Sequence, residues 1–246
     1  MIKVYEKMEG YCQQFQQYWK QWKENTPLFW IQLKFQWFNF KEYLKVIFFY
    51  YRNLSFLKSD TLLLLSYLFQ NPYRMNKEFL KKRGEEVVDV YGETPLTTFE
   101  EIVSKCQITP KDNFYELGAG RGRTCFWLHS FIGCKVIGLE IIPQFVTIAN
   151  QIVEKKHLKN IHFENVNFLN YDCKDATVIY LYGICLKDED LVQLIQQLKK
   201  LPQGTKFITI SFPLTEYTQE PLFEVTSCFQ GRFPWGIADV YLQYRK

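Results

Sequence analysis

The chain has 246 residues, 47% of them apolar, which is enough for one full core with a small appended subdomain. Its net charge of +4 is unevenly spread: residues 1–84 hold 14 Lys+Arg against 6 Asp+Glu and 22 of the 44 aromatics, whereas the remainder holds 16 Lys+Arg against 20 Asp+Glu. The seven scattered cysteines form no CxxC pair and His129, His157 and His162 lack metal-ligand spacing, so no zinc or other metal site is expected, and a reducing, cytoplasmic compartment is indicated.

The N-terminal stretch "MIKVYEKMEG" has no apolar signal-peptide core. The longest apolar runs, "VIFFYY" (46–51) and "LLLLSYLF" (62–69), fall short of the ~20 residues that span a bilayer. No transmembrane segment is expected, and peripheral attachment to a membrane surface stays open. Residues 1–24 repeat apolar groups at Tyr5, Met8, Cys12, Phe15, Trp19 and Trp22, one face of a helix. Pro27 opens a second helix, whose face carries Trp30, Leu33, Trp37, Phe40, Leu44, Ile47 and Tyr51. A third is expected from Ser59 or Asp60 as N-cap to about Gln70, before Pro72. Two readings of residues 1–85 stand side by side. One is a helical subdomain packed on the main domain or on a partner subunit. The other is a recognition face of basic and aromatic residues for protein, nucleic acid or anionic lipid.

From about residue 98 the pattern changes. A helix "TFEEIVSKC" leads to strand "NFYEL", a glycine loop, and a helix near 123–131. Strand "KVIGLE" (135–140) and a helix opened by Pro143 and running to about 156 follow. Next come strands 161–166 and 176–182, a helix over 188–200, and strand "KFITISF" (206–212). Two last strands, about 223–229 and 237–244, lie too close together for a helix between them. The alternation predicts an α/β fold: a doubly wound, mostly parallel seven-stranded Rossmann-like sheet over residues 86–246, finished by an antiparallel hairpin and preceded by the helical region 1–85.

The stretch "NFYELGAGRGRT" (113–124) sits where such a sheet binds ligands, at the carboxyl end of its first strand. Bare glycine backbone there lets a ligand lie against N–H groups. The spacing of Gly118, Gly120 and Gly122 is G-x-G-x-G, not the G-x-G-x-x-G of a pyrophosphate loop. Glu116 would repel a pyrophosphate but attract the ammonium of a methionine moiety. Glu140, 18 residues beyond Gly122, ends the second strand, where an acid accepts bonds from ribose hydroxyls. These two acids describe S-adenosylmethionine better than NAD.

The constellation resembles the seven-strand (class I) S-adenosylmethionine-dependent methyltransferases. "VYGETPLTTFEEIVSKCQITPKDNFYELGAGRG" is similar to the corresponding segment of the disruptor-of-telomeric-silencing histone lysine methyltransferases. "GLEIIPQFV", "DATVIYLYGICL", "LPQGTKFITISFPL" and "WGIADVYLQY" resemble the lysine methyltransferases of adenine nucleotide translocase and ATP-synthase subunit c and their bacterial relatives. The resemblance implies that Tyr91, Glu93 and Thr94 close over the methionine end of the cofactor. It implies backbone contact at Gly118 and Gly120, ribose held by Glu140, and adenine met by Asn167 and Phe168, with Asn167 standing where those families usually carry an acid. Arg123 is expected to pair with Glu93 or with the cofactor carboxylate. Tyr182 stands at the end of the fourth strand, where such enzymes meet the acceptor, and is the candidate catalytic residue. The histone branch has Asn-Asn-Phe there and this chain has Tyr182-Gly183-Ile184. The absence of proline in "YLYGIC" disfavours DNA amino-methylation, and Cys185, in apolar surroundings, makes a poor attacking thiolate.

The expected reaction is transfer of methyl to a protein lysine amine, with Tyr180, Tyr182 and Phe212 as aromatic walls that desolvate it. A methyltransferase acting on RNA or a small molecule is the alternative. A third reading is an inactive cofactor-binding scaffold.

Overall fold

A computed structural model of the chain describes residues 28–85, 91–183 and 186–246. The helix expected over 1–24, and Ile184 and Cys185, lie outside the described residues. Seven strands form one sheet: β1 (Asn113–Leu117), β2 (Lys135–Glu140), β3 (Ile161–Asn165), β4 (Val178–Leu181), β5 (Lys206–Ile210), β6 (Phe223–Phe233) and β7 (Gly236–Arg245). Their order is β3-β2-β1-β4-β5-β7-β6. The first five are parallel, whereas β7 runs antiparallel to β5 and to β6. The predicted doubly wound sheet with its closing hairpin is therefore present, and β7 rather than β6 joins the hairpin to the parallel strands. The chain reverses direction across the sheet between β1 and β4, so their carboxyl ends flank the crevice in which such sheets bind ligands.

Ahead of the sheet come α1 (Leu28–Lys45, extended by a π-helical turn Val46–Tyr50), α2 (Leu54–Ser66), α3 (Pro72–Lys82) and α4 (Leu96–Lys105). Between and after the strands lie α5 (Arg123–Phe131), α6 (Pro143–Lys155) and α7 (Asp188–Leu198). The N-cap of α2 is Asn53, whose side chain accepts from Ser55 N and Phe56 N. Ser59 and Asp60, expected as that cap, instead lie buried within the helix. The sequence reading has no counterpart to α3. There Asn71 caps the helix and Pro72 occupies its first turn, so the proline expected to end one helix also starts the next.

The apolar face expected for α1 is turned away from the core. Trp30, Trp37 and Phe40 are each more than half exposed, at 54%, 57% and 53%, and the buried side chains are Val46 and Tyr50. With aromatics on most sides of the helix, periodicity alone does not select the inner face. Val46, Tyr50, Phe56, Leu63 and Tyr67 share one hydrophobic core with Phe99 of α4, Phe126 of α5 and Phe145 of α6. The opposite face of the sheet buries Ile179, Leu181, Phe207 and the apolar side of α7 in a second core. Among the described residues, no helix is long and apolar enough to cross a membrane.

Candidate functional site

The site is built around the turn from β1 into α5. Gly118, Gly120 and Gly122 all have positive φ, at 81°, 55° and 79°, a path that L side chains rarely follow. The N–H groups of Gly118, Ala119, Gly120 and Gly122 are engaged within the protein. Gly118 N and Ala119 N donate to Leu139 O at 2.8 and 3.0 Å, Gly120 N donates to Glu140 Oε2 at 2.8 Å, and Gly122 N donates to Ala119 O at 2.8 Å. This corrects the expectation of a ligand resting on backbone donors: the glycines offer bare backbone, and their donors hold the turn's shape.

The three glycines differ in what surrounds them. A Cβ on Gly122 would stand 2.4 Å from the Phe163 ring, so this glycine lets helix pack on strand. A Cβ on Gly120 would stand 3.1 Å from the Tyr91 hydroxyl, and one on Gly118 would reach only the Phe168 ring, at 4.0 Å. Tyr91 and Phe168 thus border the bare backbone at 120 and 118.

The segment 91–95 lies across this turn. Tyr91 OH donates to Glu93 Oε1 at 2.5 Å, and Glu93 is gripped by Arg121 through Nε and Nη2, both at 2.6 Å. Burial pushes the Glu93 carboxyl upward, but the Arg121 guanidinium outweighs it and holds the group below the usual carboxylate range. Thr94 Oγ1 lies 2.6 Å from Tyr180 OH in the core. A Cβ on Gly92 would come within 3.1 Å of the Tyr182 ring. The Y-G-E-T residues therefore touch both the glycine turn and the end of β4.

The pairing expected for Arg123 is corrected. Arg123 Nε and Nη2 donate to Asp60 Oδ1 and Oδ2 at 2.7 and 2.8 Å, while Tyr51 OH donates to Asp60 Oδ2 at 3.0 Å. The guanidinium also lies 5.7 Å from the Tyr43 ring. It is Arg121, two residues earlier, that holds Glu93. Both residues follow a glycine in the same short tract, and only the path of the turn assigns their directions.

The two strand-end acids are both buried. Glu116 accepts from Thr124 Oγ1 at 2.7 and 2.8 Å and from Cys125 Sγ at 3.0 Å, so it faces the first turn of α5. Burial pushes its carboxyl up to about 7, against the opposing hydrogen bond from Thr124. Glu140 accepts from Gly120 N and, at 2.9 Å, from Ile142 N. Burial also raises its pKa, against those two backbone donors. One carboxylate thus ties β2 to the glycine turn. Asn167 uses its side-chain oxygen to accept from Leu169 N at 3.0 Å, which caps the 3-10 turn that presents Phe168.

At the end of β4, Tyr182 stacks on Phe233 with ring centroids 5.5 Å apart, and Trp235 stacks on Phe233 at 5.3 Å. Trp235 Nε1 donates to Tyr182 OH at 2.7 Å. The hairpin β6–β7 thereby brings to Tyr182 a tryptophan that strand-end reasoning does not anticipate. Its only trace in the sequence is the quoted "WGIADVYLQY". Two expected walls are corrected. Tyr180 is fully buried between Phe99 and Phe114, and Phe212 lies in the core of the opposite sheet face.

A family model described as "Histone methylation protein DOT1" matches residues 74–219. A histone-lysine N-methyltransferase, H3 lysine-79 specific, from Dictyostelium discoideum is 26% identical over 202 residues, covering 76% of this chain and 10% of that protein. A protein of the same description from Caenorhabditis elegans is 26% identical over 137 residues, covering 49% of this chain and 14% of its own length. The chain thus spans about a tenth to a seventh of the curated relatives it matches. Among solved structures, an RNA methyltransferase from Salinibacter ruber in complex with S-adenosyl-L-homocysteine superposes with TM-score 0.51 at 21% identity, covering 62% of this chain and 93% of that one. TrmN from Thermus thermophilus superposes with TM-score 0.51 at 14% identity, covering 60% of this chain and 48% of that one. At those identities the likeness is one of fold.

Proposed function

Because the chain belongs to the DOT1 histone methylation family, we propose that it is an S-adenosylmethionine-dependent methyltransferase acting on the amine of a protein lysine. The observation that carries this reading is the seating of the Y-G-E-T segment. It joins the glycine turn through Glu93–Arg121 and reaches the acceptor-side Tyr182 through Gly92.

The residues present suit the cofactor. Bare backbone at Gly118 and Gly120 faces Phe168 and Tyr91, rings able to border an adenine and a methionine chain. Glu140, at the end of β2, suits ribose hydroxyls, and Glu116 suits an ammonium. Asn167 keeps its amide nitrogen for adenine while its oxygen caps the turn. S-adenosylmethionine supplies a methyl on a positively charged sulfur, already activated for attack.

The chain's own contribution is then positioning and desolvation. A lysine amine attacks only as the neutral base. Tyr182 and Trp235 present aromatic surface that disfavours the ammonium form and so lowers the pKa of an entering lysine. The Trp235 N–H donates to the Tyr182 oxygen and so fixes where that hydroxyl and its ring stand beside the entering amine. Gly92 against Tyr182 ties closure of the cofactor segment to the shape of the acceptor entrance.

The test is incubation with methyl-labelled S-adenosylmethionine and, in parallel, protein extract and total RNA. Label on protein that survives nuclease and is lost to protease supports the reading. Label on RNA, or on small molecules alone, would contradict it.

A further inference from the structure

Tyr67 closes α2, ahead of the residues matched by the family model. It is 7% exposed, and its ring meets Phe145 edge-on with centroids 5.9 Å apart. The Arg121 guanidinium, while gripping Glu93, lies 5.2 Å from the centre of the same ring. The Tyr67 hydroxyl is buried and meets no hydrogen-bond partner among the described residues. The charges that act on it are those of Arg121, Glu93 and Glu140, the groups that surround the glycine turn.

A buried hydroxyl without a partner is unfavourable, and replacing it by hydrogen would relieve the chain at no loss of packing. Its position explains its retention. A ligand whose ribose approaches Glu140 and whose amino-acid end approaches Glu93 brings polar atoms toward the same hydroxyl. We propose that Tyr67 is a cofactor-binding residue supplied by the N-terminal helices, its hydroxyl completed by a hydrogen bond to S-adenosylmethionine. The inference rests on the cofactor reading above and extends the site into a region that no cofactor motif marks.

Calorimetry with S-adenosylhomocysteine on the full chain tests it, comparing the unaltered protein with Tyr67→Phe. Removal of the hydroxyl should weaken binding roughly 5–10-fold, the worth of one neutral hydrogen bond. The thermal midpoint of the ligand-free variant should stay level or rise, because an unsatisfied group is removed. Affinity unchanged within about twofold would overturn the proposal, taking that as the limit of a single lost contact. A lower midpoint in the ligand-free variant would also overturn it, since the hydroxyl would then have a partner without ligand. If the unaltered chain binds no S-adenosylhomocysteine, the cofactor reading itself falls, and this proposal with it.

Discussion

Arg123 and Asp60, 63 residues apart, form a two-pronged ion pair that ties α2 to the first residue of α5. The Asp60 side chain is fully buried and that of Arg123 is 17% exposed. Since α5 starts directly after the glycine turn, the N-terminal helices brace the ligand site as well as fill the core. Loss of one partner would leave the other charge buried and unpaired, which costs about 3–5 kcal/mol. Asp60→Ala should therefore lower the urea midpoint by a corresponding amount. An unchanged midpoint would show that Tyr43 and solvent suffice for Arg123.

The Glu116 carboxyl gives the site a pH dependence. Its pKa in the ligand-free fold is raised by burial from an ordinary 4.5 to about 7. A raised carboxyl stabilises the fold in its protonated form, so its contribution is full below pH 4.5 and lost as pH climbs to about 7. The ammonium of the ligand's amino-acid end pairs with the carboxylate and not with the protonated acid. Affinity for S-adenosylhomocysteine should therefore rise with pH up to about 7 and then level off. Glu116→Gln should flatten that profile, and calorimetry across the range checks both curves. Identical slopes in the two proteins would separate Glu116 from the ligand.

Glu140→Ala should weaken cofactor binding by roughly 2–4 kcal/mol, from two lost charge-assisted bonds to ribose. Because Glu140 also fixes Gly120 N and Ile142 N, the variant should unfold at a lower temperature as well. Glu140→Gln keeps one acceptor oxygen and should fall between the two in both measurements. Full affinity in Glu140→Ala would place the ribose elsewhere.

Tyr182→Phe leaves the ring on Phe233 and beside Gly92 but removes the acceptor of Trp235 Nε1. Turnover should drop about tenfold to a hundredfold through misplaced groups on the acceptor side. Affinity for S-adenosylhomocysteine should stay constant. Equal losses in both quantities would assign Tyr182 to the cofactor pocket or to the core.

The strands and helices around the glycine turn were legible because several local signals agree there. β1, β2 and α5 fall where the strand–helix alternation and the glycines place them. The helical region was harder. Asp60 has the chemistry of an N-cap, but its partner is Arg123, distant in the chain, and the true cap, Asn53, follows a run of aromatics. The directions of Arg121 and Arg123 depend on three positive-φ glycines, and the approach of Trp235 to Tyr182 depends on how the β6–β7 hairpin folds back. None of these is encoded within a window of a few residues. Tyr67 carries no motif at all, and only its buried, unpartnered hydroxyl marks it.

Every variant above presupposes that the proposed reaction, transfer of a methyl group from S-adenosylmethionine to a protein lysine, takes place at this site. Tandem mass spectrometry of proteins incubated with the chain and methyl-deuterated S-adenosylmethionine tests it most directly, with Tyr182→Phe and Glu140→Ala as parallel reactions. Deuterated methyl groups are expected on lysine side chains with the unaltered chain, and fewer with each variant. Deuterium confined to RNA, to small molecules or to protein side chains other than lysine would contradict it.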